Sequence, residues 1–185
     1  MAKNEDFKTK VYKMKDAPKK RKYFLERMLE IYDGKKKSEL EKILDSVEII
    51  FREQDERGAS NHKNKKVYIT TREFDRYNII DVETAKEYLE NPKSVITHEV
   101  AHIFQNIYKD FPHVDYTKDD NSVDYEKYVT DQGEIQARIE QIIDMLDKGF
   151  TKSEVSNFLY SKKYKDKELW KMLVNDAEKI MNKED

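Results

Sequence analysis

The feature that most constrains the fold is a stretch of fifteen residues, 94–108, whose only formal charge is Glu99, in a chain in which 40% of residues are charged. Charged side chains are seldom buried, so a segment this poor in charge is expected in the interior. At 100° per residue its aliphatic side chains fall on one helix face, namely Ile96, Val100, Ile103 and Ile107. The stretch predicts a core helix over 93–109, just after Pro92.

The composition favours a folded chain over a disordered one. The 185 residues are 37% hydrophobic, and 36 basic residues nearly cancel 38 acidic ones, for a net charge of −2. Disordered chains are poor in large apolar groups, whereas this one has 12 Tyr, 8 Phe and a Trp. We therefore predict an α+β fold, a mostly helical single domain with a small β-sheet, spanning 1–185.

Several classes of protein are disfavoured. The absence of Cys excludes disulfides and thiolate metal sites. No apolar run is long enough to cross a bilayer, and the first sixteen residues lack the apolar segment of a signal peptide. We expect a cytoplasmic protein with no membrane partner. The near-neutral pI of 6.2 argues against a nucleic-acid partner.

The N-terminal part, 1–44, is predicted to be helical. One helix follows the basic run 13–22 and ends at Gly34, and a second is opened by a capping box of Ser38 and Glu41. The basic run could bind nucleic acid, but the balanced charge favours a solvated helix start.

The central part, 45–110, predicts a small sheet and then the core helix. β-branched and aromatic runs at 46–51 and 65–71 indicate two strands, and Asp81 can cap a helix over 82–90. The strand at 65–71 could be an edge along which a peptide pairs, or an ordinary edge guarded by its lysines.

The C-terminal part, 111–185, predicts a polar loop over 110–123 and a long helix ended by Gly149. Thr151 and Glu154 form a capping box that opens further helical segments. The last helix is expected to bury one side, made of Leu169, Met172, Leu173, Ala177 and Ile180.

The core helix carries the chemistry. His98-Glu99-Val100-Ala101-His102 matches the pattern H-E-x-x-H, in which two His at i and i+4 on one helix face can bind one Zn²⁺. Zinc lowers the pKa of a bound water from about 16 towards about 7, and the intervening Glu can take its proton. Chance gives such a match in about one of a hundred similar chains. A solvated polar helix face is the alternative, but the charge-poor surroundings favour a site.

The motif resembles that of the zincin metallopeptidases, whose HExxH helix lies beside a small sheet. The resemblance covers about residues 65–145, and only HEVAH is a specific motif within it. It implies zinc-dependent hydrolysis of peptide bonds, with His98 and His102 as metal ligands and Glu99 as general base. Tyr108 and Gln105 stand where the metzincin pattern has His and Gly, which excludes that subfamily.

The gluzincin pattern takes its third ligand from a following helix. On the helix that ends at Gly149, the apolar stripe is Ile135, Ile139, Ile142 and Leu146. Glu134 and Arg138 lie on its shoulder, whereas Glu140 points away from it and is expected to be solvated. Glu134 is therefore the predicted third zinc ligand, in a segment, EIQAR, similar to the E-x-x-A segments of small gluzincin-like proteins.

Other assignments stay open. Glu126 and His113 are the alternative third ligands. Arg138 stands where the E-x-x-x-D version of the motif has Asp, so Asp131 is only a weak candidate to orient a ligating His. Tyr116 and Arg138 are candidates to stabilise the oxyanion.

The predicted function is therefore that of a zinc metallopeptidase acting on a peptide or protein substrate. One alternative is a catalytically inactive zincin-like module that binds metal or a partner protein. The other is a helical nucleic-acid-binding protein that uses residues 13–27.

Overall fold

The computed structural model describes residues 6–53, 59–61, 63–111, 124–160 and 166–183. The chain forms two units, Met1–Ile103 and Phe104–Asp185. The predicted α+β class is confirmed, because the chain is mostly helical with one small sheet. The predicted single domain, with divisions after residues 44 and 110, stays a prediction.

The first unit contains the sheet and the helices up to the first half of the HEVAH helix, after short 3-10 turns at Phe7–Thr9 and Met14–Asp16. Its strands are β1 (Val11–Lys13), β2 (Glu48–Arg52), β3 (Ala59–Asn61) and β4 (Lys66–Thr70). Its helices are α1 (Pro18–Ile31), α2 (Lys37–Asp45), α3 (Thr71–Tyr77), α4 (Val82–Glu90) and α5 (Ile96–Tyr108), of which α5 continues into the second unit.

The sheet has the strand order β1-β2-β4-β3, with β2 and β4 parallel and the other two pairs antiparallel. Both predicted strands are confirmed, and Ile49, Phe51, Val67 and Ile69 bury one face of the sheet. The predicted edge position of β4 is wrong, because β4 lies between β2 and β3. Its backbone pairs with β2 along its whole length and with β3 at Lys66, Val67 and Tyr68, so that part of β4 offers no edge to a substrate strand. Strands β1 and β3, which have three residues each, are not predicted by the sequence patterns.

The ends of the first helices follow local chemistry. Pro18 begins α1, where its missing N–H costs nothing, and Gly34 follows the helix with a φ of +85°. The predicted capping box of α2 is wrong, because the helix begins at Lys37 and its N-cap residue, Lys36, makes no side-chain cap. The predicted cap of α4 is confirmed, since Asp81 Oδ1 accepts from the Thr84 N–H at 2.9 Å.

The second unit continues α5 and adds α6 (Tyr125–Thr130), α7 (Gln132–Asp147), α8 (Lys152–Tyr160) and α9 (Lys167–Asn182). The capping box at the start of α8 is confirmed, because the Thr151 N–H donates to Glu154 Oε2 at 2.8 Å and the Glu154 N–H donates to Thr151 Oγ1 at 3.2 Å. Gly149 follows α7 with a φ of +87°, as expected of a helix-ending glycine.

Two predicted helix faces in the second unit need correction. The sequence predicts Glu140 in solvent, but it is 1% exposed, because α7 is buried on nearly all sides in its middle turns. On α9 the buried side chains are Trp170, Leu173, Val174 and Ala177, whereas Met172 is 51% and Ile180 37% exposed. The buried face of α9 therefore includes Trp170 and Val174, and it excludes Met172 and Ile180, which the sequence predicts to be buried. In the part of the chain that the structure describes, no helix is long and apolar enough to cross a membrane.

Candidate metal centre

The HEVAH motif lies on α5, as predicted. Ile96, Val100 and Ile103, three members of the predicted stripe, are fully buried, which fixes the rotation of the helix about its axis. The opposite side is also covered, since His98 is 5% and Glu99 8% exposed. A solvated helix face would leave these side chains in water, so that alternative is wrong for this part of α5.

The two histidines of the motif face each other. Their Nε2 atoms lie 3.1 Å apart, and their rings are perpendicular with centroids 4.6 Å apart. Two nitrogens that bind one tetrahedral Zn²⁺, at about 2.0–2.1 Å each, would be about 3.3 Å apart. The pair therefore fits a single divalent ion with a shift of a few tenths of an ångström. Without a metal the same separation suits a hydrogen bond between the rings.

The start of α5 is held by buried tyrosines. The Tyr88 hydroxyl accepts from the Val95 N–H at 3.3 Å and donates to Glu73 Oε2 at 2.7 Å, while the Tyr77 hydroxyl donates to the Lys93 carbonyl at 2.9 Å. Burial, reinforced by the nearby Glu73 carboxylate, raises the pKa of both phenols well above 10. Tyr88 thus supplies an acceptor to one of the N–H groups that a helix start leaves without a partner in the helix.

A buried lysine from α1 fixes the same end of α5. Lys20 is 2% exposed, and its Nζ donates to Thr97 Oγ1 at 2.9 Å and to the Asn91 carbonyl at 3.0 Å. Thr97 is fully buried and directly precedes His98. The interpretation of the basic run as a solvated helix start is therefore wrong at Lys20.

The neighbours of Lys20 also have structural partners. The Lys19 and Lys20 N–H groups donate to the Glu90 carboxylate at 3.1 and 3.0 Å, so Glu90 caps α1 from another helix. Arg21 forms a two-pronged ion pair with Asp45, whose pKa is lowered by the guanidinium hydrogen bonds. Much of the basic run therefore stabilises the first unit.

Glu134 lies in the first turn of α7, in the second unit, and stays a predicted ligand. Its N–H donates to Asp131 Oδ1 at 3.0 Å, because Asp131 is the N-cap residue of α7. One oxygen of Asp131 thus caps the helix. The suggested role of Asp131 in orienting a histidine stays a prediction.

The other candidates are placed only in part. His113 and Tyr116 lie outside the described residues, and only the backbone of Glu126 is described, in α6. The Arg138 Nη1 donates to Gln141 Oε1 at 2.8 Å, three residues along α7. Arg138 also lines a small hollow beside Glu134, with walls from α6, α7 and α9.

The residues that support the site are not predicted by the sequence patterns. Lys20 lies in a charge run, and no local pattern separates one buried lysine from its solvated neighbours. Tyr88 and Glu73 depend on contacts between distant segments. The amide of Gln105 gives a weak signal, since it is a polar residue in the charge-poor stretch; the structure buries it to 8% exposure, with its Nε2 donating to the Gly133 carbonyl at 3.0 Å.

Comparisons with protein-family models, with curated proteins and with solved structures found no match for this chain.

Proposed function

We propose that this protein is a zinc-dependent metallopeptidase whose metal ligands are His98, His102 and Glu134. The observation that carries the proposal is the pair of imidazoles on a charge-poor helix, with Nε2 atoms 3.1 Å apart. His98 is buried, His102 is half-buried, and the buried Glu99 lies between them in the sequence. Imidazole nitrogens are among the ligands that Zn²⁺ prefers in proteins, and two of them on one helix face can bind a single ion.

Support for the third ligand comes from the type and place of Glu134, a carboxylate in the first turn of the helix that follows the HEVAH helix and the short α6. Two imidazoles and a carboxylate are the ligand set of several catalytic zinc sites, in which a fourth position stays open to water. Other divalent ions also bind such a set, so zinc is an expectation based on the resemblance to the zincins.

The chemistry assigned to the residues follows from their types. A bound Zn²⁺ would lower the pKa of a coordinated water and polarise the substrate carbonyl. Glu99, adjacent to His98 and between the two ligands in sequence, is the proposed general base that takes the water proton and delivers it to the leaving amine. Its 8% exposure keeps bulk water away from that proton transfer.

Two alternative functions can be compared with the proposed one. A module that binds metal without catalysis would need the same His pair, so the geometry suits it equally, and only the role of Glu99 separates the two. Nucleic-acid binding through 13–27 is disfavoured, because Lys20 is buried and Arg21 is paired with Asp45. A peptide or protein substrate and a cytoplasmic location stay predictions.

Metal analysis of the purified chain tests the ligand set. We expect one zinc per chain in the wild type, and loss of that zinc in His98→Ala and in Glu134→Ala. A matched control is Glu168→Ala, which changes a carboxylate in the first turn of another helix, α9. Zinc retained in Glu134→Ala would move the third ligand elsewhere, and a wild-type protein with no affinity for zinc would overturn the proposal.

A further inference from the structure

A buried glutamine connects the end of the HEVAH helix with the start of α7. Gln105 is 8% exposed, and its Nε2 donates to the Gly133 carbonyl at 3.0 Å. Gln105 follows His102 by three residues on one continuous helix, and Gly133 directly precedes Glu134. Residues three apart are neighbours on a helix surface, so this hydrogen bond lies about one turn from one proposed ligand and one residue from another.

Gly133 leaves little space for a larger residue at this contact. A Cβ atom there would lie 3.1 Å from Asp131 Oδ1 and 3.4 Å from Gln105 Oε1. The first atom belongs to the carboxylate that caps α7 and accepts from the Glu134 N–H. The second belongs to the amide that joins the two helices. Close approach therefore explains the glycine in the first turn of a helix, where it otherwise lowers stability.

The hydrogen bond from Gln105 and the Asp131 cap together constrain the backbone around Glu134. The Gly133 carbonyl has two lone pairs, so it can accept from Gln105 in addition to any bond within its own helix. The Asp131 carboxylate holds the Glu134 N–H. Removing the Gln105 amide takes away one of these two constraints, so the first turn of α7 loses a buried hydrogen bond that holds it in place.

We propose that Gln105 is a positioning residue, which holds the first turn of α7 in place and with it the carboxylate of Glu134. The inference rests on the proposed metal site and adds to it a residue outside the motif. Groups that orient metal ligands typically change metal affinity about 10- to 100-fold when they are removed. Gln105 acts on a ligand through the backbone next to it.

The test compares two glutamines in the full-length chain. Gln105→Leu removes the amide between α5 and α7, whereas Gln136→Leu removes an amide whose Nε2 donates to Glu140 Oε1 at 3.0 Å inside α7. We expect zinc affinity, measured by chelator competition, to fall about 10- to 100-fold in Gln105→Leu and to stay unchanged in Gln136→Leu. We also expect the visible absorption of the Co²⁺-loaded protein to change only in the first variant.

The outcomes separate this inference from the proposed function. A wild-type chain that binds no zinc overturns both. A wild-type chain that binds zinc, with equal affinity and an unchanged Co²⁺ spectrum in Gln105→Leu, overturns the positioning role alone, even if the melting temperature falls. Should Gln105→Leu fail to fold, Gln105→Met decides, because it keeps the length of the side chain and removes the amide without adding a charge. Weaker zinc binding in a folded Gln105→Met supports the inference, and unchanged binding overturns it.

Discussion

Helices α5 and α7 both bury carboxylates, but in different settings. On α5, Glu99 is the only formal charge in its stretch and lies in sequence between two histidines, whose Nε2 atoms are 3.1 Å apart. On α7, Glu140 and Asp144 are each 1% exposed, and Glu140 accepts a hydrogen bond from Gln136 of its own helix. A buried carboxylate therefore does not by itself indicate a functional site in this protein. What distinguishes Glu99 is that it belongs to a motif with two metal-binding side chains.

The largest expected effect separates the two kinds of buried carboxylate. Glu99→Gln keeps the side-chain shape but removes the proposed base, so we expect peptide hydrolysis to fall about 10²- to 10⁴-fold with zinc retained. Glu140→Gln is the matched change on α7, and we expect it to leave hydrolysis unchanged. The assay is cleavage of a fluorogenic peptide mixture by each zinc-loaded variant. Equal activity of wild type and Glu99→Gln would show that Glu99 is not a catalytic base and that α5 only binds metal.

The same contrast explains what can be predicted from sequence. The burial and face of α5 follow from one observation, because a charge-poor run in a charge-rich chain is expected to pack inside. On α7 the apolar stripe accounts for only part of the buried surface. Its middle turns are covered on nearly every side, so Glu140 is buried where periodicity places it in water. Periodicity reports which face is apolar, while burial of the other face depends on elements distant in sequence.

The supports of the site could not be predicted from sequence for a related reason. Lys20 reaches Thr97 across 77 positions of the chain, and Gln105 reaches Gly133 across 28. Such partners are determined by tertiary packing. The short strands β1 and β3 escape prediction because three residues give too little alternation to recognise.

A smaller effect is expected where α1 holds the start of α5. Lys20→Met keeps the aliphatic stem but leaves the Thr97 hydroxyl and the Asn91 carbonyl without their ammonium donor. We expect a loss of about 1–3 kcal/mol in the free energy of unfolding, measured with urea. The control is Lys22→Met in the same basic run, where a side chain 76% exposed should change stability by no more than about 0.5 kcal/mol. Equal effects of the two changes would show that Lys20 is no special support of α5.

The smallest effect concerns the tyrosine that caps α5. The pKa of Tyr88 is well above 10 in the folded chain, because burial and then the Glu73 carboxylate disfavour the phenolate, whereas the unfolded phenol titrates near 10. Below pH 10 both states hold the proton and the contribution to stability is complete. As pH rises above 10 the unfolded state loses its proton first, so stability falls.

Tyr88→Phe loses two hydrogen bonds and should be less stable than wild type at pH 7. Because it has no proton to lose at this position, that deficit should shrink between pH 10 and pH 11. Urea unfolding of both proteins at pH 7, 9, 10 and 11 measures the deficit, and a constant difference across this range would contradict the buried, protonated phenol at the start of α5.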